Sequence, residues 1–335
     1  MTWNNDALRG RSLLTLDDVT DDEMLALLDL AAELKRQKQT DRMASVQHLL
    51  RQTVALVFEK PSTRTRCAGT VAALDEGGAA TYLGKGDIHL GKKESVADSA
   101  RVLGRMFDGI LFRGFAHETV CGLAKYAGVP VWNGLTDDAH PTQVLADLQT
   151  VHECFGKLAG LRMAYLGDGR NNVCNSLMLG CAKAGMQFVN CCPPQLAPEK
   201  AWVERAEVAA RRTGGSVEIV HDVRAGVRGA NVLYTDVWAS MGEEDKFQER
   251  VALLRPYQVN RELVEATGTA GSGELIFLHC LPAFHDHNTE FSQKIGALEV
   301  TDEVFEADYS KVFDEAENRM HTIKALLVAT IGRAA

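Results

Sequence analysis

The chain has 335 residues, of which 46% are hydrophobic and 24% are charged, an ordinary balance for a soluble globular protein. This length exceeds what one hydrophobic core usually supports, so we expect two α/β domains of about 150 residues each. The formal net charge of -9 argues against non-specific binding to nucleic acid or to an anionic membrane surface. We therefore expect no nucleic-acid partner and no membrane partner.

Two features of the sequence indicate the cellular environment. The amino terminus, MTWNNDALRGRSLL, has no apolar segment behind a basic start, and no later apolar run approaches the length that spans a bilayer. Eight cysteines occur without CxxC pairs, which favours reduced thiols over a disulfide framework. We therefore predict a cytoplasmic protein with seven core thiols, and Cys280 is considered separately. The other cysteines are at positions 67, 121, 154, 174, 181, 191 and 192.

The first predicted element is an amphipathic helix that follows Thr20. Thr20 and Glu23 match a capping box, in which each side chain bonds the backbone N–H of the other residue. Apolar residues then recur at helical spacing as far as Leu34, and basic residues close the segment. After it, short apolar runs alternate with helical ones, which is typical of a parallel sheet covered by helices. The first four strands are predicted at 53–58, 80–83, 109–112 and 130–133.

A long helical segment at 141–155 precedes a second series of strands. These strands are predicted at 162–167, 186–191, 216–220, 231–238 and 275–281. The predicted fold class is therefore α/β, with two doubly wound parallel-sheet domains joined by interdomain helices. We place the first domain at 1–150 and the second at 151–315. The apolar helix within 316–335 is expected to pack back on the first domain.

The stretch FEKPSTRTRCAG, residues 58–69, puts Arg64 and Arg66 where a buried strand is followed by a helix. The first turn of a helix has unpaired N–H groups and the positive end of the macrodipole, so an anion is expected there. Pro61 suits the start of that helix, because it has no N–H to leave unsatisfied. A solvated basic turn is the alternative.

Polar clusters follow five more of the predicted strands at their carboxyl ends, where open parallel sheets bind ligands. They are Arg113 in RG, HPTQ 140–143, GDGRNN 167–172, DVWASMG 236–242 and HCLP 279–282. A solvated loop would explain any one of them. Six clusters at carboxyl ends, counting the first, indicate a binding site.

Three other signatures are rejected. GDIHLGKK at 86–93 fits the spacing of a phosphate loop, but Lys93 stands where a Ser or Thr must hold magnesium. GDGRNN lacks the third glycine of a dinucleotide fingerprint. HCLPAFHDH at 279–287 gathers three histidines and a cysteine without zinc spacing, so a structural role is preferred for His285 and His287. We predict no metal and no cofactor.

Seven segments of the sequence occur together, in this order, in one known family. They are FEKPSTRTR, RVLGRMFDGILFRG, VPVWNGLTDDAHPTQVLADLQT, GDGRNN, TDVWASMGEE, HCLPAFHD and EVFE followed by VFDEAENRMHTIKA. Over nearly its entire length the chain resembles the ornithine carbamoyltransferases. STRTR, HPTQ and HCLP mark the wider carbamoyltransferase superfamily, whereas SMG with its preceding Asp points to ornithine.

The resemblance implies a first domain for carbamoyl phosphate and a second for ornithine, in homotrimers or multiples of trimers with sites shared between subunits. It implies that carbamoyl phosphate contacts Ser62, Thr63, Arg64, Thr65, His89, Arg113, His140, Gln143, Cys280, Leu281 and Arg319. It implies that ornithine contacts Asn172, Asp236, Ser240 and Met241. It assigns catalysis to Arg113, His140, Asp236 and Cys280, whereas Arg66 is interpreted as structural.

Two stretches depart from the family pattern. After STRTRC, Gly69 and Thr70 stand where the family has an aromatic residue and an acid. In HLGKKE, His89 and Lys92 stand where the family has Gln and His. Because these segments lie near subunit contacts in the family, we expect the departures to alter the interface and the neighbour's contribution to the site.

The implied reaction is attack of the δ-amine of L-ornithine on carbamoyl phosphate, giving L-citrulline and phosphate in arginine metabolism. Donors from Thr65, Arg113 and His140 would stabilise the oxyanion of a tetrahedral intermediate. The amine must first lose a proton from a group with a pKa of about 10.4. Asp236 and Cys280 are expected to orient it and help this deprotonation, although binding of the α-ammonium alone is an equal alternative for Asp236. Direct attack is preferred to a thioester on Cys280.

Other functions stay open at this point. The acceptor could instead be aspartate, putrescine or an acylated ornithine, and the STRTR loop could serve a non-catalytic anion-binding module. The sequence leaves the metabolic direction undecided between arginine biosynthesis and phosphorolysis of citrulline. The segment DVWASMGEE is predicted to close over ornithine after carbamoyl phosphate binds.

Overall fold

The computed structural model describes residues 7–40, 47–88, 90–91, 93–238, 247–289 and 292–333. Contacts divide the chain into two units. The first comprises Met1–Gln149 and Glu317–Ala335, and the second comprises Thr150–Ala316. No helix among the described ranges combines the length and apolar character that crossing a membrane requires.

The first unit is built on a four-stranded parallel sheet with the spatial order β2-β1-β3-β4. Its strands are β1 Thr53–Phe58, β2 Ala79–Leu83, β3 Gly109–Arg113 and β4 Val131–Leu135. Its helices are α1 Asp21–Thr40, α2 Thr63–Asp75, α3 Val96–Met106, α4 His117–Ala127 and most of α5 Pro141–Phe155. Because β1 and β3 are buried on both faces, they are mainly apolar runs, and β4 is also buried although it carries Asn133.

The second unit has a five-stranded parallel sheet with the order β7-β6-β5-β8-β9. Its strands are β5 Arg162–Leu166, β6 Gln187–Cys191, β7 Ser216–Val220, β8 Val232–Thr235 and β9 Ile276–His279. Its helices are α6 Asn172–Lys183, α7 Lys200–Thr213, α8 Val223–Val227, α9 Phe247–Leu254, α10 Arg261–Ala266, α11 Ser292–Ile295 and α12 Asp302–Phe305. The final helix, α13 Val312–Ile331, begins in this unit and ends in the first.

The α/β fold class and all nine strands that the sequence predicts are confirmed. The largest difference is at β8, which ends at Thr235 although a strand to residue 238 was expected. Similarly, β9 ends at His279. Asp236 and Cys280 therefore follow the ends of two neighbouring strands, where side chains no longer alternate between the faces of the sheet.

The capping box at the start of α1 is confirmed. The backbone N–H of Thr20 donates to Glu23 Oε2 at 2.8 Å, and the backbone N–H of Glu23 donates to Thr20 Oγ1 at 3.1 Å. The prediction for Pro61 is wrong in detail, because α2 begins at Thr63 with Ser62 as its cap. Pro61 therefore precedes the cap.

Gly69 brings helix α2 close to the sheet of its own unit. A Cβ atom at this position would lie 3.0 Å from side-chain carbons of Leu56 and Leu111. Such a separation is shorter than ordinary van der Waals contact, so an aromatic side chain would require the helix to move outward. An effect of Gly69 and Thr70 on a subunit interface stays a prediction.

The carboxyl-terminal half of α13 is held in the first unit by a buried cation. Lys324 is 1% exposed, and its Nζ lies 2.7 Å from Asp75 Oδ2 at the end of α2. Lys38 Nζ, near the end of α1, lies 2.6 Å from the same oxygen. Because truncating one partner would leave a buried charge uncompensated, this trio fixes the three helices together.

The prediction of seven core thiols is wrong for three cysteines. All eight cysteines are free, but Cys67, Cys121 and Cys154 are exposed. They lie on α2, α4 and α5, where apolar sequence neighbours do not determine which face of the helix a residue occupies. The remaining four predicted core cysteines are buried, and Cys280 is half-buried.

Candidate active site

The STRTR segment forms the first turn of α2. The Ser62 side chain accepts a hydrogen bond from the backbone N–H of Thr65 at 3.3 Å, and the Ser62 hydroxyl donates to Thr65 Oγ1 at 3.2 Å. The backbone of Thr63 and Arg64 therefore occupies the helix start, the position that favours an anion. Arg66 is directed elsewhere, with its guanidinium 3.9 Å from the ring centroid of Tyr82.

His140 lies at the centre of a cluster of arginines in the first unit. It is 3% exposed, and burial lowers its pKa well below the usual range, with further lowering by the charges of Arg319, Arg113 and Arg64. The imidazole is therefore neutral near pH 7. A neutral imidazole keeps one N–H donor, so His140 can donate to a substrate oxygen without adding a fourth positive charge.

Arg319 is positioned by side chains that are distant in the sequence. Its Nη1 donates to Gln143 Oε1 at 2.6 Å, and its Nη2 donates to Thr65 Oγ1 at 3.0 Å and to the Gly134 carbonyl oxygen at 3.3 Å. Gln143 in turn donates from Nε2 to Asp147 Oδ1 at 2.8 Å. Arg319, Gln143 and Thr65 are all buried, so water does not compete for these hydrogen bonds.

The loop that precedes His140 is held by Asn133 on β4. Asn133 Nδ2 lies 2.9 Å from the Leu14 carbonyl oxygen, 3.2 Å from Thr136 Oγ1 and 3.3 Å from the Ala139 carbonyl oxygen. This buried amide fixes the backbone on which the histidine is mounted. No sequence pattern indicates this role of Asn133, because an Asn within an apolar strand belongs to no motif.

An ion pair also joins the loops after β1 and β4 in the first unit. Lys60 Nζ lies 2.7 Å from Asp137 Oδ1 and 4.2 Å from the ring centroid of Phe115. Phe115 follows β3, so one ammonium contacts the loops of three strands. Asp137 is 57% exposed, so solvent screens this ion pair and its energetic contribution is small.

In the second unit, Asp236 and Cys280 form a hydrogen-bonded pair. The Cys280 Sγ donates to Asp236 Oδ1 at 3.0 Å, and the backbone N–H of Val237 donates to the same oxygen at 2.8 Å. Thr235 and His279 are partners in the parallel register of β8 and β9, so the two side chains follow paired residues. The arrangement offers a carboxylate and a thiol at one edge of the sheet.

Buried groups fix the turn that carries Cys280 and Leu281. The backbone N–H of His279 donates to Glu315 Oε2 at 2.9 Å, and the backbone N–H of Leu281 donates to His279 Nδ1 at 2.9 Å. His279 Nε2 lies 3.3 Å from Glu299 Oε1, so the ring is protonated on Nε2. Leu281 has the left-handed φ of 57°. No sequence pattern indicates these roles of Glu299 and Glu315, because nothing local connects them to the turn.

Two groups of side chains in the described ranges have donor atoms close enough for a metal ion. Asp236, His279 and Cys280 each offer one atom within 4.8 Å of the others, but the Nδ1 of His279 already accepts the Leu281 N–H. His285, Asp302 and Glu306 form the other group. The ring of His285 stacks on Phe305 at 3.7 Å, so it has a packing role whether or not an ion binds.

The GDGRNN segment begins helix α6 in the second unit. Asn171 caps the helix by accepting the Val173 N–H at 2.7 Å, and Asn172 is its first residue. Asp168 accepts from Arg250 Nη1 at 2.9 Å. Arg250 lies on α9, so this ion pair anchors the chain beyond the SMG segment.

Three predicted contacts, His89, Ser240 and Met241, lie outside the described residues, as do Lys92 and most of DVWASMGEE. The structure brings together Ser62, Thr65, Gln143 and Arg319 by hydrogen bonds, and places Arg64 and Arg113 in the electrostatic surroundings of His140. In the second unit it brings Asp236 and Cys280 together.

Two family models match the two halves of the chain. The aspartate/ornithine carbamoyltransferase carbamoyl-P binding domain matches residues 11–153. The aspartate/ornithine carbamoyltransferase Asp/Orn binding domain matches residues 159–330. Together they cover nearly the whole sequence.

Relatives of known identity agree with these models. The chain is 56% identical over 333 residues to a catabolic ornithine carbamoyltransferase of Bacillus licheniformis, covering 97% of each. It is 52% identical over 331 residues to catabolic ornithine carbamoyltransferase 2 of Staphylococcus epidermidis, again covering 97% of each. The solved ornithine carbamoyltransferase of Pyrococcus furiosus is 42% identical with a TM-score of 0.89, covering 97% of this chain and 98% of that one. The chain therefore belongs to the aspartate/ornithine carbamoyltransferase family, in which it is an enzyme of the ornithine carbamoyltransferase group.

Proposed function

We propose that this enzyme transfers the carbamoyl group of carbamoyl phosphate to the δ-amine of L-ornithine, by direct attack through a tetrahedral intermediate. The observation that carries this proposal is the neutral, buried His140 among Arg64, Arg113 and Arg319. A phosphate binder needs cations alone. A neutral imidazole donor among them suits an acyl phosphate, whose carbonyl oxygen gains negative charge during attack.

The first unit supplies the groups for carbamoyl phosphate. The start of α2 and the guanidiniums of Arg64 and Arg113 match the dianionic phosphate in charge, and guanidinium forks match its oxygens in geometry. His140, Arg113 and the Thr65 hydroxyl are the proposed donors to the carbonyl oxygen. Thr65 Oγ1 already accepts hydrogen bonds from Arg319 and Ser62, which occupy both lone pairs. Its own proton is therefore directed to a third group, and we assign that group to the substrate.

The second unit supplies the groups for ornithine. Asp236 and Cys280 are proposed to orient the amine and to favour its neutral form, while the departing phosphate accepts a proton. At pH 7, deprotonating an alkyl ammonium costs about 4 to 5 kcal/mol. The hydrogen bond from Cys280 to Asp236 supports coupled action of the pair, because the thiol proton can pass to Asp236 as the thiolate takes the proton of the amine. Asn172, Ser240 and Met241 are proposed to bind the amino-acid end.

The remaining assignments rest on the family. We propose residues 1–150 as the carbamoyl-phosphate domain and 151–315 as the ornithine domain, with the helix in 316–335 completing the first. The first family model is described as binding carbamoyl phosphate and the second as binding aspartate or ornithine, which supports this division. Homotrimers or multiples of trimers, with sites shared between subunits, are part of the same proposal, as is a cytoplasmic location.

The metabolic direction follows the names of the relatives. The similar proteins from Bacillus licheniformis and Staphylococcus epidermidis are both named catabolic. We therefore propose phosphorolysis of citrulline as the direction in the cell, in place of the arginine biosynthesis that the resemblance alone left open. The same groups serve both directions, since the transition state is shared.

A citrulline assay across four acceptors tests the proposal. Purified enzyme is incubated with carbamoyl phosphate and L-ornithine, L-aspartate, putrescine or N-acetyl-L-ornithine, and the carbamoylated product is measured between pH 6 and pH 9. We expect turnover with ornithine that rises with pH, since more of the amine is neutral. Faster turnover with any other acceptor would contradict the assignment to ornithine.

The variant Cys280→Ser separates orientation from proton handling. Serine keeps a donor to Asp236, so orientation is retained while the thiol is removed. If the thiol handles the proton, the rising limb of the pH–rate profile moves to higher pH. A profile of unchanged shape would restrict Cys280 to positioning, and ping-pong kinetics would replace direct attack with a covalent intermediate.

A further inference from the structure

We propose that Asp147 is a positioning residue for carbamoyl transfer, acting through Gln143 and Arg319 on the Thr65 hydroxyl. This inference rests on the proposed function, because it names a residue that supports the same site. Asp147 lies on α5 and is fully buried. A buried carboxylate is costly unless it makes strong hydrogen bonds, so its presence beneath the arginine cluster requires an explanation.

The first step is the orientation of the Gln143 amide. Asp147 lies four residues after Gln143 on the same helix face, and its Oδ1 accepts from Gln143 Nε2 at 2.8 Å. An amide side chain has an oxygen and a nitrogen of similar size, so its two orientations differ only in hydrogen bonding. The Oδ1 atom of Asp147 is the acceptor in this pair, and only the amide nitrogen of Gln143 can donate to it. Asp147 therefore holds the nitrogen of Gln143 toward itself and turns the oxygen to the opposite side.

The second step is the placement of Arg319. A guanidinium can only donate, and Arg319 Nη1 donates to the oxygen of Gln143 at 2.6 Å. With the amide reversed, the NH₂ group of Gln143 would face the guanidinium, and two donors would oppose each other. Asp147 and Arg319 thus fix the amide from its two ends. Arg319 is 4% exposed, so bulk water does not replace the lost acceptor.

The third step is the direction of the Thr65 hydroxyl. Arg319 Nη2 donates to Thr65 Oγ1 at 3.0 Å, and Ser62 Oγ donates to the same atom at 3.2 Å. With Thr65 Oγ1 accepting from both of these donors, its own hydroxyl proton is directed to another group. If Arg319 moves, Thr65 can rotate its hydroxyl toward other partners. Asp147 is therefore three hydrogen bonds away from the donor that we assign to the substrate carbonyl.

The test is Asp147→Asn, which keeps shape and removes the acceptor-only character. The new amide can present either its oxygen or its NH₂ group, so Gln143 no longer has one preferred orientation. We expect kcat/KM for carbamoyl phosphate to fall about thirtyfold, as for loss of a hydrogen bond to a charged group. At saturating carbamoyl phosphate, KM for ornithine should change less than about threefold. An equal rise in both KM values would contradict the proposal.

A double-mutant cycle shows whether Asp147 acts through Gln143. In the Gln143→Ala background, adding Asp147→Asn should change kcat/KM for carbamoyl phosphate less than about twofold, since the connecting amide is absent. If the effects of the two substitutions on kcat/KM multiply, Asp147 acts by another route and the inference is overturned. Leu148→Met is the matched control on α5, because Leu148 is buried and the volume is conserved. It should retain the wild-type kcat/KM.

Binding of acetyl phosphate separates this inference from the proposed function, because this acyl phosphate carries a carbonyl oxygen as well as a phosphate. Absence of citrulline formation by the wild-type enzyme would contradict the proposed function alone. In that event, isothermal titration with acetyl phosphate still measures the donor that Thr65 offers to a carbonyl oxygen. Asp147→Asn should then weaken acetyl phosphate binding about tenfold or more. Equal acetyl phosphate affinity of wild type and Asp147→Asn would overturn the inference.

Discussion

The functional residues of the two units differ in the sign of their charge. In the first unit, Arg64, Arg113 and Arg319 surround a histidine that burial and these charges keep neutral. In the second, a carboxylate accepts a hydrogen bond from a thiol. Arg64, His140, Asp236 and Cys280 all lie just beyond the carboxyl ends of parallel strands, so the fold alone does not distinguish the two sets. Under the proposed function, the difference teaches that the chemistry of each substrate is read from side chains: fixed cations for a dianion, and an acceptor for an ammonium group.

Among the substitutions that remove a charge from one unit, Arg113→Ala is expected to have the largest effect. Arg113 is assigned to both the phosphate and the carbonyl oxygen, so kcat/KM for carbamoyl phosphate should fall about a thousandfold. Steady-state citrulline formation measures the effect. Arg101→Ala is the matched control, because Arg101 is an exposed arginine paired with Asp98 at 2.9 Å. Equal losses of kcat/KM in Arg113→Ala and Arg101→Ala would mean that only the overall charge of the protein matters.

Asp236→Asn tests the carboxylate of the second unit. The amide retains the shape of the side chain but removes the negative charge, so kcat/KM for ornithine should fall about a hundredfold. The affinity for inorganic phosphate, measured by isothermal titration, should stay within about twofold of wild type. A comparable loss of phosphate binding would show that the second unit is not specific to the amine.

The stability of the protein in acid tests whether the first unit keeps its buried histidines neutral. Burial lowers the pKa of His321 from 6.5 to about 4. Below about pH 6.5 this histidine binds a proton in the unfolded chain, whereas in the folded protein it binds one only near pH 4. The contribution of neutral His321 to the free energy of unfolding is therefore present above pH 6.5 and is lost as the pH falls toward 4. Between pH 6.5 and pH 5 the wild type should lose about 2 kcal/mol more than His321→Gln.

Urea unfolding at the two pH values measures this difference. His321 Nε2 lies 3.2 Å from Glu317 Oε1, and a glutamine side chain at this position can donate to the same carboxylate. The variant should therefore stay close to wild type at pH 7. Parallel loss of stability in wild type and variant on acidification would assign the acid sensitivity to other groups.

The smallest expected effect is that of Asp137→Asn. The pair with Lys60 ties loops of the first unit, but Asp137 is 57% exposed and such pairs contribute little. We expect kcat/KM for carbamoyl phosphate to fall about two- to threefold, which corresponds to roughly 0.5 kcal/mol. The effect should shrink further at 0.5 M salt, because exposed charges are screened. A loss of kcat/KM above about tenfold would mean that the ion pair between Lys60 and Asp137 contributes more than its exposure to solvent predicts.

Much of the fold could be predicted from the sequence. Strands buried on both faces are continuous apolar runs, so β1 was predicted at 53–58 and is observed at Thr53–Phe58. The exposed cysteines were mispredicted, since the apolar character of sequence neighbours does not determine the face of a helix. The end of β8 was also missed, because Val237 and Trp238 continue the apolar pattern after the strand has ended.

The candidate site was only partly predictable from local patterns. Clusters after the strands made Arg64, His140 and Asp236 candidates, because parallel strands present their carboxyl ends at one edge. Arg319 was named only through the family resemblance, since 254 residues separate it from Thr65. Asp147 lies four residues after Gln143 on α5, but an acid within an apolar helix belongs to no motif. Glu315 carries no local signal, because its contact with the His279 N–H joins residues that are 36 positions apart.

Leu281 sets a limit on how this enzyme can be made more heat-resistant. Its φ of 57° is a left-handed conformation that costs a non-glycine residue about 1 kcal/mol or more. Asparagine tolerates this conformation better, but Leu281 also packs against the buried core of the second unit, so Leu281→Asn would exchange apolar packing for lower backbone strain. Because the two effects oppose each other, we expect no gain in melting temperature from relieving the strain at this position alone. Engineering campaigns that screen by melting temperature should therefore hold this position constant.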